Sequence, residues 1–233
     1  MYRHKSVFLG LRNFCHGIAP NLAGMLEDWR KTELYRRHIM KHGFLMPLPS
    51  FIKRSIILRY ALDYHCKTLV ETGTQYGDTP YLFRSRFEAI YTIELSSTLA
   101  AMARKRFRRF PHIKVIEGDS GEKLAELLPK LKSTTLFWLD GHYSVGLTAR
   151  GATDCPIYGE LESIARLCKV PCVVLIDDAR CFGHDKDYPS LEELECFVQE
   201  AFSQHEIRVS NDIISITPPA GIGEYVIKDP EGK

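Results

Sequence analysis

From Ser55 onward, short apolar runs alternate with longer stretches in which apolar residues recur every three or four positions. Runs of four to six residues rich in β-branched and aromatic side chains read as buried strands, and the 3.6-residue period between them reads as amphipathic helix. The pattern predicts helix 56–65, strand 68–71, helix 78–87, strand 90–94, helix 97–110 and strand 113–117. It continues with helix 122–130, strand 135–140, helix 157–168, strand 172–177 and helix 191–203. Ser190, followed three positions later by Glu193, gives the last helix a capping box. Strands separated by helices require a mostly parallel sheet covered on both faces, hence the α/β class. After Ser203 the alternation stops, and EIRVSNDIISITP followed by GEYVIK predicts an antiparallel hairpin that closes the sheet.

Ahead of this periodic part, residues 1–50 read as a helical N-terminal extension, with a helix-like stretch at 22–42 and a break at Pro47 and Pro49. Residues 51–233 form the main domain. The first residues are basic, but the apolar stretch 7–11 is interrupted by Gly10 and ends at Arg12, short of a signal-peptide core or a membrane span. Integral membrane association is not expected; a peripheral membrane contact by this segment stays open.

Composition narrows the classes further. A chain of 233 residues with 45% hydrophobic and 26% charged residues suits one α/β domain with an extension. The net charge of +2 is too small to imply a polyanionic partner. The locally basic run RKRFRR (104–109) is expected to spread around a helix axis as a solvated face, which argues against a nucleic-acid partner. Seven cysteines, odd in number and without paired Cys-x-x-Cys spacing, argue against a zinc site and a disulfide framework. The chain reads as intracellular and cytoplasmic, with Cys168, Cys172 and Cys196 expected to be small buried hydrophobes.

The candidate chemistry starts at ETGTQYGDT (71–79), where an apolar run leads into Glu71 and then Gly73 and Gly77. Glycine at a strand-to-helix turn permits positive φ and a close approach of ligand to backbone. Glu94 closes the next strand about twenty residues on, the offset at which a carboxylate holds a ribose diol. The Gly-x-Gly-x-x-Gly spacing that admits a pyrophosphate is missing, so the pocket expects a ribose without diphosphate. On Glu71, Gly73 and Gly77 the chain resembles the class I S-adenosylmethionine (SAM)-dependent methyltransferases, whose first motif is an acidic residue, any residue, Gly, three residues, Gly. The resemblance covers roughly residues 56–217. It implies a Rossmann-like, mostly parallel seven-stranded sheet with an antiparallel C-terminal hairpin. It further implies cofactor contacts from Glu71, Gly73, Thr74, Gln75, Gly77 and Glu94, with Asp119 reading the adenine amino group and Ser120 beside it. N-terminal helices in such enzymes often cover substrate or build a dimer contact, so a homodimer stays open.

Acidic residues stand at or just after all five parallel strands: Glu71, Glu94, Asp119, Asp140, and Asp177 with Asp178. Ligands in open α/β sheets lie outside these strand ends. Asp140, Asp177 and Asp178 would repel one another unless a cation sat among them, and hard oxygen ligands suit Mg²⁺ better than Zn²⁺. The spacing resembles the metal-dependent O-methyltransferases of the catechol and macrocin types. A divalent ion lowers the pKa of an acceptor hydroxyl and aligns it with the methyl–sulfur bond. His142 stands where the macrocin-type family places an Asp base; as a neutral imidazole it can take the proton, bind metal, or cap a turn. The connection 141–156 is long and rich in Gly and Thr, which suits a lid, and within it Tyr143, Arg150 and Asp154 either bind a polar substrate or, for the last two, pair with each other. His184, in the loop after the fifth strand, is expected near the same edge.

The sequence thus reads as a Mg²⁺-assisted, SAM-dependent O-methyltransferase acting on a small hydroxylated acceptor of sugar or natural-product type, with Asp140 and His142 in the chemistry. A metal-independent class I methyltransferase and a noncatalytic SAM-binding scaffold are the alternatives.

Overall fold

A computed structural model describes residues 48–140, 156–184 and 188–219. The chain separates into two compact units, Met1–Ile56 and Ile57–Lys233. Only residues 48–56 of the first are described, so the helix expected at 22–42 lies outside the described residues.

The elements follow in the order α1 (Ser50–Asp63), β1 (Thr68–Thr72), α2 (Asp78–Leu82), β2 (Ala89–Glu94), α3 (Ser97–Phe107) and β3 (Ile113–Glu117). Next come α4 (Ser120–Leu127), continued by one 3₁₀ turn (Leu128–Lys130), then β4 (Thr135–Leu139), α5 (Ile157–Leu167) and β5 (Cys172–Ile176). A second 3₁₀ turn (Ala179–Cys181), α6 (Leu191–Ala201), β6 (Glu206–Ser210) and β7 (Ile213–Thr217) complete the described chain.

The strands form one seven-stranded sheet in the order β3-β2-β1-β4-β5-β7-β6. The first five are parallel, and β7 is antiparallel to both β5 and β6. EIRVSNDIISITP forms an antiparallel hairpin, because Asn211 and Asp212 both take positive φ (52° and 59°) and close a two-residue turn, while the strand expected at GEYVIK (223–228) lies outside the described residues. Such turns match the twist of the flanking strands.

The central strands β1, β4, β5 and β7 are buried at every position, which is why they read as continuous apolar runs rather than alternating ones. On one face Val70, Phe137, Val174 and Ile176 meet Leu124 and Leu127 of α4, Leu161 and Ile164 of α5, and Leu194 and Val198 of α6. On β2 and β3 lies α3, burying Leu99, Ala100, Ala103 and Phe107. The edge strand β6 is largely exposed and carries Glu206 and Arg208, charges that discourage further strand pairing.

Two expectations are corrected. The helix expected at 78–87 ends as α2 at Leu82, and turns carry the chain to Phe87. Tertiary contacts override the helical period there: Arg86 donates to the carbonyls of Ala61 and Cys66 at the exit of α1, and the Phe83 and Phe87 rings pack edge to face at 5.8 Å. Cysteines diverge as well, since Cys172 is buried but Cys168 is half-buried and Cys196 exposed. Burial pushes the Cys66 thiol up to about 12 against the opposing pull of Arg86, so it behaves as a small hydrophobe. Among the described residues, no helix is long and apolar enough to cross a membrane.

Candidate active site

The loop after β1 is held by its own sheet. The N–H groups of Gly73 and Thr74 donate to Ile93 O (3.0 and 3.3 Å), that of Gln75 to Glu94 Oε2 (2.8 Å), and that of Gly77 to Thr74 O (2.8 Å). With these donors engaged, the loop is no cradle for a diphosphate, which needs several free N–H groups converging on it.

Gly73 (φ 84°) and Gly77 (φ 74°) take the left-handed conformations that the turn requires, and so does Gln75 (φ 49°). Gly77 has a second constraint, because a Cβ on it would stand 2.7 Å from Cζ of the buried Phe107. This glycine therefore seats the loop against α3 as much as it opens it to ligand. Gly77→Ala is expected to lower stability by about 2 kcal/mol, from positive-φ strain plus overpacking, read as a lower denaturant midpoint at constant slope. An unchanged midpoint would mean that α3 yields freely at this point.

Glu94 is nearly buried at the end of β2 and uses both oxygens: Oε2 accepts from Gln75 and Oε1 from the N–H of Ser96 (2.9 Å). The same carboxylate thus anchors the loop after β1 and the turn into α3. Each carboxylate oxygen retains further acceptor capacity for a diol.

Glu71 is 3% exposed. Thr92 Oγ1 donates to its Oε2 at 2.6 Å, and Thr74 Oγ1 lies 2.6 Å from Thr92 Oγ1 in the same chain. Burial, helped by the nearby charges of Asp140 and Glu94 and opposed by the hydroxyls of Thr92 and Thr79, pushes Glu71 up from the ordinary 4.5 to about 8. The folded chain therefore keeps a proton on Glu71 between these values that the unfolded chain has lost. Stability should fall as pH rises from about 4.5 to about 8, with a slope of up to about 1.4 kcal/mol per pH unit. Urea titrations of the wild type and of Glu71→Gln across this window check it; the variant should lose that slope, and parallel curves would contradict the buried acid.

Asp119 caps α4, its Oδ1 accepting from the N–H groups of Gly121 (2.9 Å) and Glu122 (3.4 Å), and Ser120 is the first residue of that helix. Gly118 donates to the Glu94 carbonyl (2.9 Å), so the exits of β2 and β3 lie side by side and Asp119 stands next to Glu94 in the fold. Cap and ligand roles are compatible, because the cap uses Oδ1 alone.

At the exits of β4 and β5, one ligand oxygen each from Asp140, Asp177 and Asp178 lies within 4.8 Å of the others. Backbone bonds fix two of them: Asp140 N–H donates to Thr72 O (3.3 Å) and Asp177 N–H to Leu139 O (3.1 Å). Asp177 is wholly buried, and its Oδ1 accepts from the N–H of Asp178, which itself sits at φ 57°. An all-oxygen set of this kind fits a hard divalent ion such as Mg²⁺. Thr72, beside Glu71 and bonded through its carbonyl to Asp140, has a buried hydroxyl without a hydrogen-bond partner among the described residues, an orphan that a bound polar molecule would satisfy.

Sequence reasoning missed two members of this edge. Arg180 donates to Asp178 Oδ1 (2.7 Å) and to Asp212, while its own backbone N–H donates to Asp212 Oδ1 (2.7 Å). Burial works against the Arg180 charge, but Asp178 and Asp212 outweigh it and raise its pKa above the ordinary arginine value. Burial likewise raises Asp212, against the pull of Arg180. A protein cation thus already stands beside the aspartate cluster. Asp212 arrives there because β7 pairs antiparallel with β5, with Ile176 opposite Ile214. No local pattern announces that placement; the strand order has to be known first.

His142, with Tyr143, Arg150 and Asp154, lies outside the described residues. His184 is exposed in the turn after the second 3₁₀ helix, its N–H donating to Cys181 O (3.1 Å).

No protein-family model matches the chain, and no curated protein does. Solved structures do. A Staphylococcus aureus protein provisionally assigned as a caffeoyl-CoA O-methyltransferase is 18% identical, with 82% of this chain and 97% of that one covered at a TM-score of 0.52. An O-methyltransferase from Bacillus cereus, in complex with S-adenosylhomocysteine, is 13% identical over 88% and 96% of the two chains (TM-score 0.52). A methyltransferase from Podospora anserina, also bound to S-adenosylhomocysteine, is 16% identical over 93% and 97% (TM-score 0.51). The chain has the fold of the class I SAM-dependent methyltransferases.

Proposed function

We propose that this chain is a SAM-dependent methyltransferase that methylates a hydroxyl of a small acceptor, assisted by a divalent ion held by Asp140, Asp177 and Asp178. The observation that carries the reading is the convergence of buried or half-buried carboxylates at the exits of β1, β2, β4 and β5, the edge where open α/β sheets bind ligands. The solved structures that contain S-adenosylhomocysteine share this fold and support the choice of cofactor.

In this reading Glu94 accepts from the ribose hydroxyls while holding Gln75 in place, and the locked turn at Gly73, Thr74, Gln75 and Gly77 walls the cofactor. Asp119, beside Ser120, receives the adenine amino group on the oxygen not used by its cap. Burial raises Glu71 to about 8 in the absence of an ion, so it adds little negative charge beside Asp140. A divalent ion on these three supplies Lewis-acid activation of an acceptor hydroxyl. His142, two positions beyond Asp140, is the residue assigned to receive the hydroxyl proton. Rigid placement by backbone bonds at Asp140 and Asp177 contributes orientation.

A specific observation favours a second reading, without metal. Arg180 already supplies a positive charge to Asp178, so the cluster can exist with a protein cation alone. Release of S-adenosylhomocysteine from SAM across a panel of hydroxylated acceptors, with Mg²⁺ and with EDTA, separates the two. Turnover confined to the Mg²⁺ arm supports the first reading, and equal turnover in both arms supports the second.

A further inference from the structure

Most of the basic run after Met102 lies on one side of α3 and its C-terminal turn. Lys105, Arg106, Arg108 and Arg109 gather with Met102 and Phe110 around one open groove of about 580 Å³. Arg104 instead pairs with Glu117 (2.7 Å). Arg84 joins from beyond α2, its guanidinium 4.2 Å from the centroid of the Tyr81 ring and 5.9 Å from that of Phe110. Arg106 covers the same Tyr81 ring at 4.8 Å, donates to the Tyr76 carbonyl and pairs with Asp78 (2.8 Å). Together α2, α3 and the turns beyond them present Arg84, Lys105, Arg108 and Arg109, while Asp78 is engaged by Arg106 and Glu117 by Arg104.

Apolar exposure concentrates on the same ground. Of the seven large apolar side chains exposed among the described residues, four belong here: Met102, in the groove, and Tyr76, Tyr81 and Leu82, on the loop and helix that Arg106 grips. Met102 is 53% and Leu82 44% exposed.

We propose that this face docks on an anionic membrane surface, with Arg84, Lys105, Arg108 and Arg109 meeting lipid phosphates and Tyr76, Tyr81, Leu82 and Met102 entering the headgroup layer. Tyrosines and long basic side chains are the residues that settle at this boundary, and aliphatic insertion plus cations is how a soluble domain holds to it. Single-stranded nucleic acid fits less well. Its affinity comes from bases stacking on open aromatic faces, yet guanidinium groups already lie over Tyr81, and Leu82 and Met102 offer no ring.

The test is cosedimentation of the full chain with vesicles of phosphatidylcholine alone and of phosphatidylcholine with phosphatidylserine, at low and high salt. Binding is expected only to the anionic vesicles, weakening with salt. Lys105→Gln combined with Arg109→Gln should weaken it roughly 30-fold, about five-fold for each cation lost. Met102→Ser should weaken it with an unchanged salt dependence. All three positions are exposed, and near-ultraviolet circular dichroism checks the fold; Arg108→Gln with Arg109→Gln serves if the first pair misfolds. Absence of binding to anionic vesicles overturns the proposal, as does binding that the substitutions leave unchanged, which would place the contact elsewhere in the chain. Tight binding of a single-stranded RNA oligonucleotide that the same substitutions abolish, without vesicle binding, would overturn it in favour of a nucleic-acid partner.

Discussion

Replacing Asp177 with asparagine should reduce methyl transfer by about 10² to 10³-fold while leaving SAM affinity within about two-fold. The carboxylate is fully buried at the exit of β5, and its Oδ1 fixes the backbone of Asp178, a role that an asparagine oxygen can keep. What asparagine cannot keep is the negative charge shared with Asp140 and Asp178 over less than 5 Å. The loss should therefore appear in metal affinity and turnover rather than in folding, and calorimetric titration of Mn²⁺ or Mg²⁺ into wild type and variant reads the first directly. Weaker metal binding, unchanged SAM binding and lost turnover form the expected triple. Full activity in the variant would remove the metal from the mechanism and leave Arg180 as the cation of the site.

Replacing Glu94 with alanine should weaken SAM and S-adenosylhomocysteine alike, by about 30- to 100-fold, because both carry the ribose that this carboxylate is proposed to hold. The same substitution leaves the N–H groups of Gln75 and Ser96 without their acceptor, so stability should fall by about 2 kcal/mol as well. The two effects separate by method: calorimetry at a temperature where the variant is fully folded reads affinity, and urea unfolding without ligand reads stability. A stability loss with unchanged affinity would reduce Glu94 to a loop anchor.

Much of the sheet was legible: β1, β4 and β5 are buried on both faces and end at Gly or Asp, β2 and β3 are rich in β-branched residues, and all five appear in the sequence to within a residue or two. Helix ends with local signals were equally legible, as at Ser190, whose capping box with Glu193 is present. Legibility failed where tertiary contacts overrule the local period. Nothing in the sequence between Asp78 and Phe87 says that Arg86 will leave the helix to satisfy carbonyls of Ala61 and Cys66.

The carboxylates at the site were visible because each follows an apolar run, and the parallel topology puts all such ends on one edge. Asp212 and Arg180 were not, since one lies in a hairpin turn and the other past the acidic pair, and only the antiparallel insertion of β7 beside β5 joins them. The basic run 104–109 was legible as a solvated face, and Arg104, Lys105, Arg106, Arg108 and Arg109 are all exposed. What went unread is that Met102, Lys105, Arg106 and Arg109 recur at three- and four-residue spacing, and that Arg108 keeps helical dihedrals as the C-cap of α3, so these side chains line one groove.

The central claim is tested most directly by calorimetric titration of SAM and of S-adenosylhomocysteine into the full chain, once with Mg²⁺ and once with EDTA. Saturable one-to-one binding of both ligands in both buffers is the predicted result, since the cofactor residues at β1, β2 and β3 are distinct from the aspartates at β4 and β5. Absence of binding in either buffer would contradict the account, and would make the glycine turn and the carboxylates at the strand exits structural features of the sheet.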